Sequence, residues 1–369
     1  MDFIDLKTNY DLLRNSIDSR IASVLESGQY ILGEQIREME QRLAHYVGVD
    51  HCVSVSSGTD ALLIALMSLD IGIGDEVITS PFSFISSAEM IALLGAKPVF
   101  IDINEKTYNL NEDLLESAIT KKTKAIIPVS LFGQCPNLDR INKIAFAHDV
   151  SVIEDGAQSF GSTYKKKKSC GITDIAATSF FPSKPLGCYG DGGALFTNNS
   201  DLVSKFKELR MHGESKRYHH NRIGINGRMD EIQASIILSK LEIFDKEIEL
   251  RKEVAKRYSK LINIFFGNEI NSVFIEKFNS SVFAQYTIQL PNRDEIHAKL
   301  KEKNIPTGIY YPVPLHHQPV FSFLSYKKGD FPVSEHVSKR VLSLPMHPYL
   351  KENDQRIIIE EINSIINNK

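Results

Sequence analysis

An α/β fold, with a largely parallel sheet covered on both faces and a smaller α+β part at the C-terminus, is what this sequence predicts. Three observations lead there. Short apolar, β-branched runs recur as far as about residue 197. Stretches with helical periodicity separate them, as expected of strands buried by helices on either side. The chain's 369 residues exceed what one compact core serves, so two domains are expected, at 1–245 and 246–369.

The elements follow in order. Ile17, Ile21, Val24 and Leu25 share a helical face, and Gly28 ends that helix. Tyr30 to Gly33 is a short irregular link, and Glu34 to Tyr46 reads as a second helix. Strands are expected at Cys52–Val55, Glu76–Thr79, Pro98–Ile101, Ala125–Val129 and Val152–Asp155. A helix from Asp60 to Leu69 follows the first, and another, through Glu89 and Leu93, follows the second. Ala176–Phe180 and Gly193–Thr197 complete a seven-stranded sheet. One long helix, Asp230 to Leu261, links to the smaller part. That part has a strand at Ala284–Ile288, a helix at Arg293–Lys303 and a last helix holding Ile357, Ile358, Ile359 and Ile362. Lys165 to Lys168 form an exposed turn.

Apolar residues make up 42% of the chain and charged residues 24%, the balance of an ordinary globular protein. A net charge of -3 gives no electrostatic case for nucleic-acid or membrane binding, though it allows a local basic pocket. Cys52, Cys135, Cys170 and Cys188 lack metal-ligand spacing and disulfide density, so reduced thiols, no metal and a cytoplasmic setting are expected. The residues from Met1 to Lys7 have no basic region before an apolar stretch, so no signal peptide is expected, and no run is long enough to span a bilayer.

Three segments carry chemistry. Ser56-Ser57-Gly58-Thr59-Asp60-Ala61 is a strand-to-helix turn whose N–H groups can approach an anion. Taken alone it reads equally as a helix cap. Glu154-Asp155-Gly156-Ala157-Gln158-Ser159 puts Asp155 at the end of an apolar strand, where open α/β sheets gather ligand groups. A carboxylate there can hold a pyridine nitrogen protonated, or it can simply cap the next helix. Thr178 to Gly193 is a Pro- and Gly-rich loop between two buried strands, with Lys184 inside it. A desolvated lysine has a lowered pKa and can form a Schiff base.

Together, Ser-Gly-Thr, Glu-Asp-x-Ala-Gln and Ser-Phe-Phe-Pro-Ser-Lys followed by Gly-Asp-Gly-Gly resemble the DegT/DnrJ/StrS family of sugar aminotransferases, from about Phe3 to the last helix. The resemblance implies the fold-type I, aspartate aminotransferase-like architecture, pyridoxal 5′-phosphate as cofactor and a homodimer with shared active sites. It implies Lys184 as the cofactor's Schiff-base lysine, Asp155 on the pyridine nitrogen and Gln158 on the phenolic oxygen. Gly58, Thr59 and Ser179 would bind the phosphate. Phe84 would stack on the ring unless it is a core aromatic, and Asn226 would reach the partner subunit's cofactor. Lysine, where some members have histidine, favours transamination over dehydration.

A narrower likeness, in Pro182 to Asp191 and Arg217 to Arg222, is to enzymes aminating UDP-2-acetamido-2-deoxy-3-oxo-glucuronate for surface polysaccharide such as lipopolysaccharide O-antigen. L-glutamate would give the amino group and leave as 2-oxoglutarate. Such a sugar is strongly anionic, and Arg217, Arg222, Arg228, His219 and His220 are suited to it, with Arg228 first for a carboxylate. The alternative is a solvated or dimer-stabilising loop. Tyr30 and Tyr311 are further sugar contacts; Tyr310 departs from the family's His-Tyr-Pro. Rival readings are an aminotransferase acting at C4 or on a dTDP- or GDP-sugar, a cysteine desulfurase, and a non-catalytic cofactor-binding regulator. A nicotinamide enzyme fails because Gly190, Gly192 and Gly193 do not open a helix after a first strand.

Overall fold

The computed structural model describes residues 1–367. α1 (Leu6–Ser27) and α2 (Glu34–Val47) come first. Asp5 caps α1 by accepting the Thr8 N–H, and Gly28 closes it in the left-handed conformation. Leu13, Ile17 and Val24 are its buried residues; Leu25, expected with them, is exposed because it sits one residue beyond Val24, on the next face.

The β/α alternation then begins. β1 (His51–Val55), α3 (Gly58–Ser68), β2 (Glu76–Thr79), α4 (Ser86–Leu93), β3 (Lys97–Phe100), α5 (Leu115–Ala118), β4 (Thr123–Ile126), α6 (Leu138–Ala147) and β5 (Ser151–Asp155) follow one another. A small hairpin, β6 (Thr163–Tyr164) and β7 (Lys167–Lys168), precedes β8 (Ile175–Ser179) and β9 (Gly193–Thr197). The seven-stranded sheet runs β1-β9-β8-β5-β4-β2-β3. Only β9 is antiparallel to its neighbours, so the sheet is mostly parallel. β4 ends earlier than expected, at Ile126, because Pro128 has no N–H for the ladder. Pairing resumes at the bridge between Val129 and Asp155.

After α7 (Ser200–Leu209) and the hairpin β10 (Glu214–Lys216) and β11 (His219–His220), the expected single long helix is two. α8 (Glu231–Leu241) is buried nearly all round against α1 and α2, and α9 (Phe244–Phe266) is amphipathic. The break at Ile243, with φ -114° and ψ 2°, turns Phe244 and Ile248 into the first core, where Phe244 stacks on Phe160. Val254 and Tyr258, farther along α9, belong to a separate core with Ile288, Leu342, Ile358 and Ile362. β12 (Asn279–Ser280), β13 (Tyr286–Gln289), α10 (Arg293–Glu302), α11 (Pro332–Ser338), β14 (Val341–Leu344) and α12 (Glu352–Asn367) build that part, with β13 and β14 paired antiparallel. Lys165 to Lys167 are exposed in the β6–β7 hairpin, while Lys168 lies over the Tyr46 ring. No described helix is long and apolar enough to cross a membrane.

Candidate active site

β5 delivers two carboxylates to opposite faces of the sheet. Glu154 is buried under the Oγ of Ser130 at 2.8 Å, the Oγ of Ser169 at 2.6 Å and the Cys170 N–H at 2.9 Å, all donating to it. Burial pushes its pKa up, and these donors oppose the rise. Asp155, one residue on, accepts the Ser87 hydroxyl on Oδ2 at 2.9 Å and the Ala157 N–H on Oδ1 at 3.1 Å. Burial raises its pKa; Ser87, the Ala157 N–H and the Lys184 charge pull it down. The Ala157 bond is the cap that the sequence allows, so Asp155 caps a turn and also lies within electrostatic reach of Lys184. Ser87 went unread in the sequence; the only signal was the Ser86-Ser87 pair opening a helix after Pro81 to Phe84.

Lys184 sits in the loop between β8 and β9, held by turns from the Lys184 N–H to the Phe181 carbonyl and from the Cys188 N–H to the Phe180 carbonyl. Its side chain is half-buried. Desolvation pushes its amine below the ordinary lysine pKa, and the Asp155 carboxylate opposes that. A second lysine supports the loop from beneath. Lys240 of α8 is buried, donates to the Gly187 carbonyl at 2.6 Å and lies 4.4 Å from the Tyr189 ring centroid. Burial pulls its pKa from 10.5 down to about 8.

Below about 8 both folded and unfolded chains hold the Lys240 proton, so the cost of burying the ammonium is constant. Between about 8 and 10.5 only the unfolded chain holds it, so this group makes stability rise with pH across that window. Lys240→Met is expected to abolish that rise, as measured by urea unfolding on both sides of the window. An unchanged pH dependence sinks the assignment.

The Ser56–Thr59 turn meets the lysine loop at close range. Ser57 caps α3 by accepting the Asp60 N–H at 3.0 Å, so the capping reading holds too. A Cβ on Gly58 would come within 2.6 Å of the Ser179 Cβ, and one on Gly193 within 2.4 Å of the Ser57 carbonyl oxygen. Only glycine lets these backbones approach. The N-terminus of α3, Thr59 and Ser179 thus form one cradle suited to a dianion.

The opposite wall is aromatic. Phe82 is the core residue at 1% exposure, and Phe84 is 55% exposed, so the core-aromatic alternative falls to Phe82. Gln158 accepts the Phe132 N–H at 2.9 Å and donates to the Tyr311 hydroxyl at 3.0 Å, which leaves its amide one further N–H. Tyr311, expected as a sugar contact, spends its hydroxyl on Gln158 and packs on Phe82 and Phe84. Tyr310 is half-buried against Phe3.

The other expected substrate residues flank this site or lie beyond it: the Gly227 carbonyl accepts the Ser56 N–H at 2.9 Å, which ties the Asn226–Arg228 stretch to the cradle turn. Arg228 is half-buried, with Nη1 3.8 Å from the Met211 Sδ and its Nε buried without a partner among the described residues. Arg222 Nε donates to Glu208 at 3.0 Å, an intrachain pair absent from the sequence reading. His219, His220 and Arg217 are exposed on the β10–β11 hairpin, with His220 Nδ1 2.9 Å from the His212 carbonyl and Arg217 stacked on Tyr218. Asn226 and Tyr30 are exposed, each tied to the fold through its backbone, to Met211 and Glu231. The four cysteines are free, and burial pushes every thiol up, Cys188 to about 11, so none has the thiolate character a desulfurase needs.

A mostly parallel seven-stranded sheet, with a lysine within electrostatic reach of a buried carboxylate at a strand end, is the architecture of the fold-type I class of pyridoxal-phosphate enzymes. The DegT/DnrJ/EryC1/StrS aminotransferase family model matches residues 11–363, and the chain belongs to that family. It is 51% identical, over 97% of its length and 98% of the relative's, to the UDP-2-acetamido-2-deoxy-3-oxo-D-glucuronate aminotransferase of Pseudomonas aeruginosa. It superposes with a TM-score of 0.95 on S. venezuelae DesV in complex with a ketimine intermediate, at 35% identity over 98% of this chain and 97% of that one. NtdA from Bacillus subtilis, solved with bound cofactor PMP, gives a TM-score of 0.92 at 28% identity over 99% and 85%.

Proposed function

We propose that this protein transfers the amino group of L-glutamate to the 3-keto group of UDP-2-acetamido-2-deoxy-3-oxo-glucuronate, giving a UDP-3-amino sugar for surface polysaccharide. The observation that carries the chemistry is the Lys184 amine within electrostatic reach of the buried Asp155, on a strand end next to the strand whose Ser179 packs on Gly58. The likeness to the Pseudomonas enzyme supports the choice of sugar.

Pyridoxal 5′-phosphate, when bound, supplies an electron sink for the carbon that loses a proton. Asp155 would keep the pyridine nitrogen protonated, and the free N–H of Gln158 would serve the phenolic oxygen. The α3 N-terminus, Gly58, Thr59 and Ser179 would hold the phosphate, and Phe84 would be the ring's aromatic neighbour. Lys184, with its lowered pKa, would carry the proton between the α-carbon of glutamate and C4′ of the cofactor.

The active unit is a homodimer in the cytoplasm, with residues 1–245 forming the cofactor domain and 246–369 the smaller one. Exposed Asn226, Tyr30, His219 and His220, with Arg222 behind them, serve the partner's site. Arg228, whose Nε lacks a partner among the described residues, takes the uronate carboxylate. Arg228→Met is expected to lower discrimination between the uronate sugar and its C6-alcohol counterpart, as a ratio of kcat/KM, by about tenfold or more, the scale of a hydrogen bond to a charged group. An unchanged ratio removes Arg228 from that role.

The test of the whole reading is turnover of a panel of UDP-, dTDP- and GDP-ketosugars with ¹⁵N-glutamate, followed by NMR of the product. Nitrogen on C3 of the UDP-uronate supports it. Preference for a 4-keto or dTDP sugar transfers the assignment to that substrate.

A further inference from the structure

We propose that His316, His317 and Glu335 form a site for one divalent transition-metal ion of the zinc type, with water completing the coordination. None of the three belongs to the lysine site. They meet where a short turn, Leu315–His317, packs on the start of α11. One ligand atom from each lies within 4.8 Å of the others. His316 Nε2 is 3.1 Å and His317 Nε2 3.7 Å from the same Glu335 oxygen. With metal–ligand bonds of about 2.0–2.2 Å, a tetrahedral shell has edges of about 3.4 Å, and the two distances straddle that value.

The chemistry of the set fits a borderline metal: two imidazoles and a carboxylate, three ligands with an open fourth position. Two of the ligands are already fixed. His316 is buried edge-on against Phe331, at 4.7 Å between centroids. Glu335 is buried, and its Oε1 also accepts the Gly329 N–H at 2.7 Å. The α11 backbone beneath it is held by Asp102, which accepts the Val333 and Ser334 N–H groups at 2.9 and 3.0 Å. His317 is the exposed member and leaves the open position facing water.

The ion would brace the segment that forms one wall of the lysine site. Tyr311 lies four residues before Leu315, whose N–H donates to the Pro81 carbonyl at 2.7 Å and so ties the turn to the Phe82–Phe84 stretch.

The experiment uses untagged, chelator-treated holoenzyme titrated calorimetrically with Co²⁺ and with Zn²⁺, with the Co²⁺ visible spectrum recorded alongside. One equivalent per chain with a tetrahedral Co²⁺ spectrum is expected. His317→Leu, at an exposed position that leaves the His316–Glu335 bond intact, is expected to weaken it at least about 100-fold, beyond the usual loss on removing a mere supporting partner. His219→Ala/His220→Ala is expected to keep it, which separates the site from the exposed histidine hairpin. Equal binding by wild type and His317→Leu, or no binding by wild type, overturns the proposal and leaves His316–Glu335 as a metal-free clamp.

Discussion

Lys184→Ala is expected to lower turnover by about three orders of magnitude or more, the upper part of the range for losing a positioned acid–base group. The effect is large because one amine has two tasks. In the proposed reaction it anchors the cofactor and, once released, moves the proton at the reacting carbon. Alanine removes no hydrogen bond from the fold, because the Lys184 backbone N–H makes the turn to Phe181. The variant should therefore fold and still bind cofactor, which the Gly58–Ser179 cradle and Asp155 hold without the lysine. Borohydride reduction followed by peptide mass measurement checks this independently of turnover. The wild type should carry the cofactor on the peptide containing Lys184, and the variant should carry none. A variant with normal turnover, or a label on another lysine such as Lys240, ends the assignment.

Much of the sheet was legible because buried parallel strands are short, apolar and β-branched whatever surrounds them, as in Glu76–Thr79 and Gly193–Thr197. Lys184 stood out through its setting of glycines and prolines and Asp155 through its place at a strand end, and the fold brings the two within electrostatic reach of each other. What could not be read depends on partners distant in sequence. Ser87 reaches Asp155 across 68 positions, and Tyr311 reaches Gln158 across 153. Lys240 looks like any helical lysine until α8 packs beneath Gly187. The break at Ile243 was hidden because helical periodicity runs through it; the packing of Phe244 on Phe160 decides the direction of α9. Arg222 was expected as an anion ligand from its residue type, and only the fold reveals the bond to Glu208. The metal-ligand set is split between residues 316–317 and 335, so cysteine-based spacing rules miss it.

The alternation on β5 sharpens one of these points. Glu154 and Asp155 are adjacent carboxylates, both buried, yet the pleat sends them to different surroundings. Glu154 is satisfied by Ser130, Ser169, the Cys170 N–H and the more distant Cys135 thiol, and works as a structural hub. Asp155 has two donors, and Lys184 lies within electrostatic reach of it. The strand thus separates a carboxylate that holds the fold from one with fewer partners, and the proposed choice of Asp155 over Glu154 as the reactive group rests on that difference.

Asp155→Asn tests the choice directly. The amide is close in shape, can still accept the Ala157 N–H and can donate to the Ser87 oxygen, so the fold should survive. It cannot supply the negative charge that keeps a pyridine nitrogen protonated, and without that proton the electron sink is lost. Turnover is expected to fall by about 10²-fold or more, the lower bound for removing a group the reaction depends on. A second readout needs no turnover. The Asp155 charge raises the Lys184 pKa against desolvation, so its removal should lower that pKa further and leave more of the amine neutral near pH 7. In cofactor-free protein, the pH profile for modification of Lys184 by an amine-reactive reagent should move to lower pH than in the wild type. A profile that moves upward, or does not move, would mean that the two groups do not share a site. Glu154→Gln serves as the contrast: it disturbs Ser130, Ser169 and Cys170 and is expected to reduce stability while leaving the Lys184 profile where it was, because Glu154 is not among the charges acting on that amine.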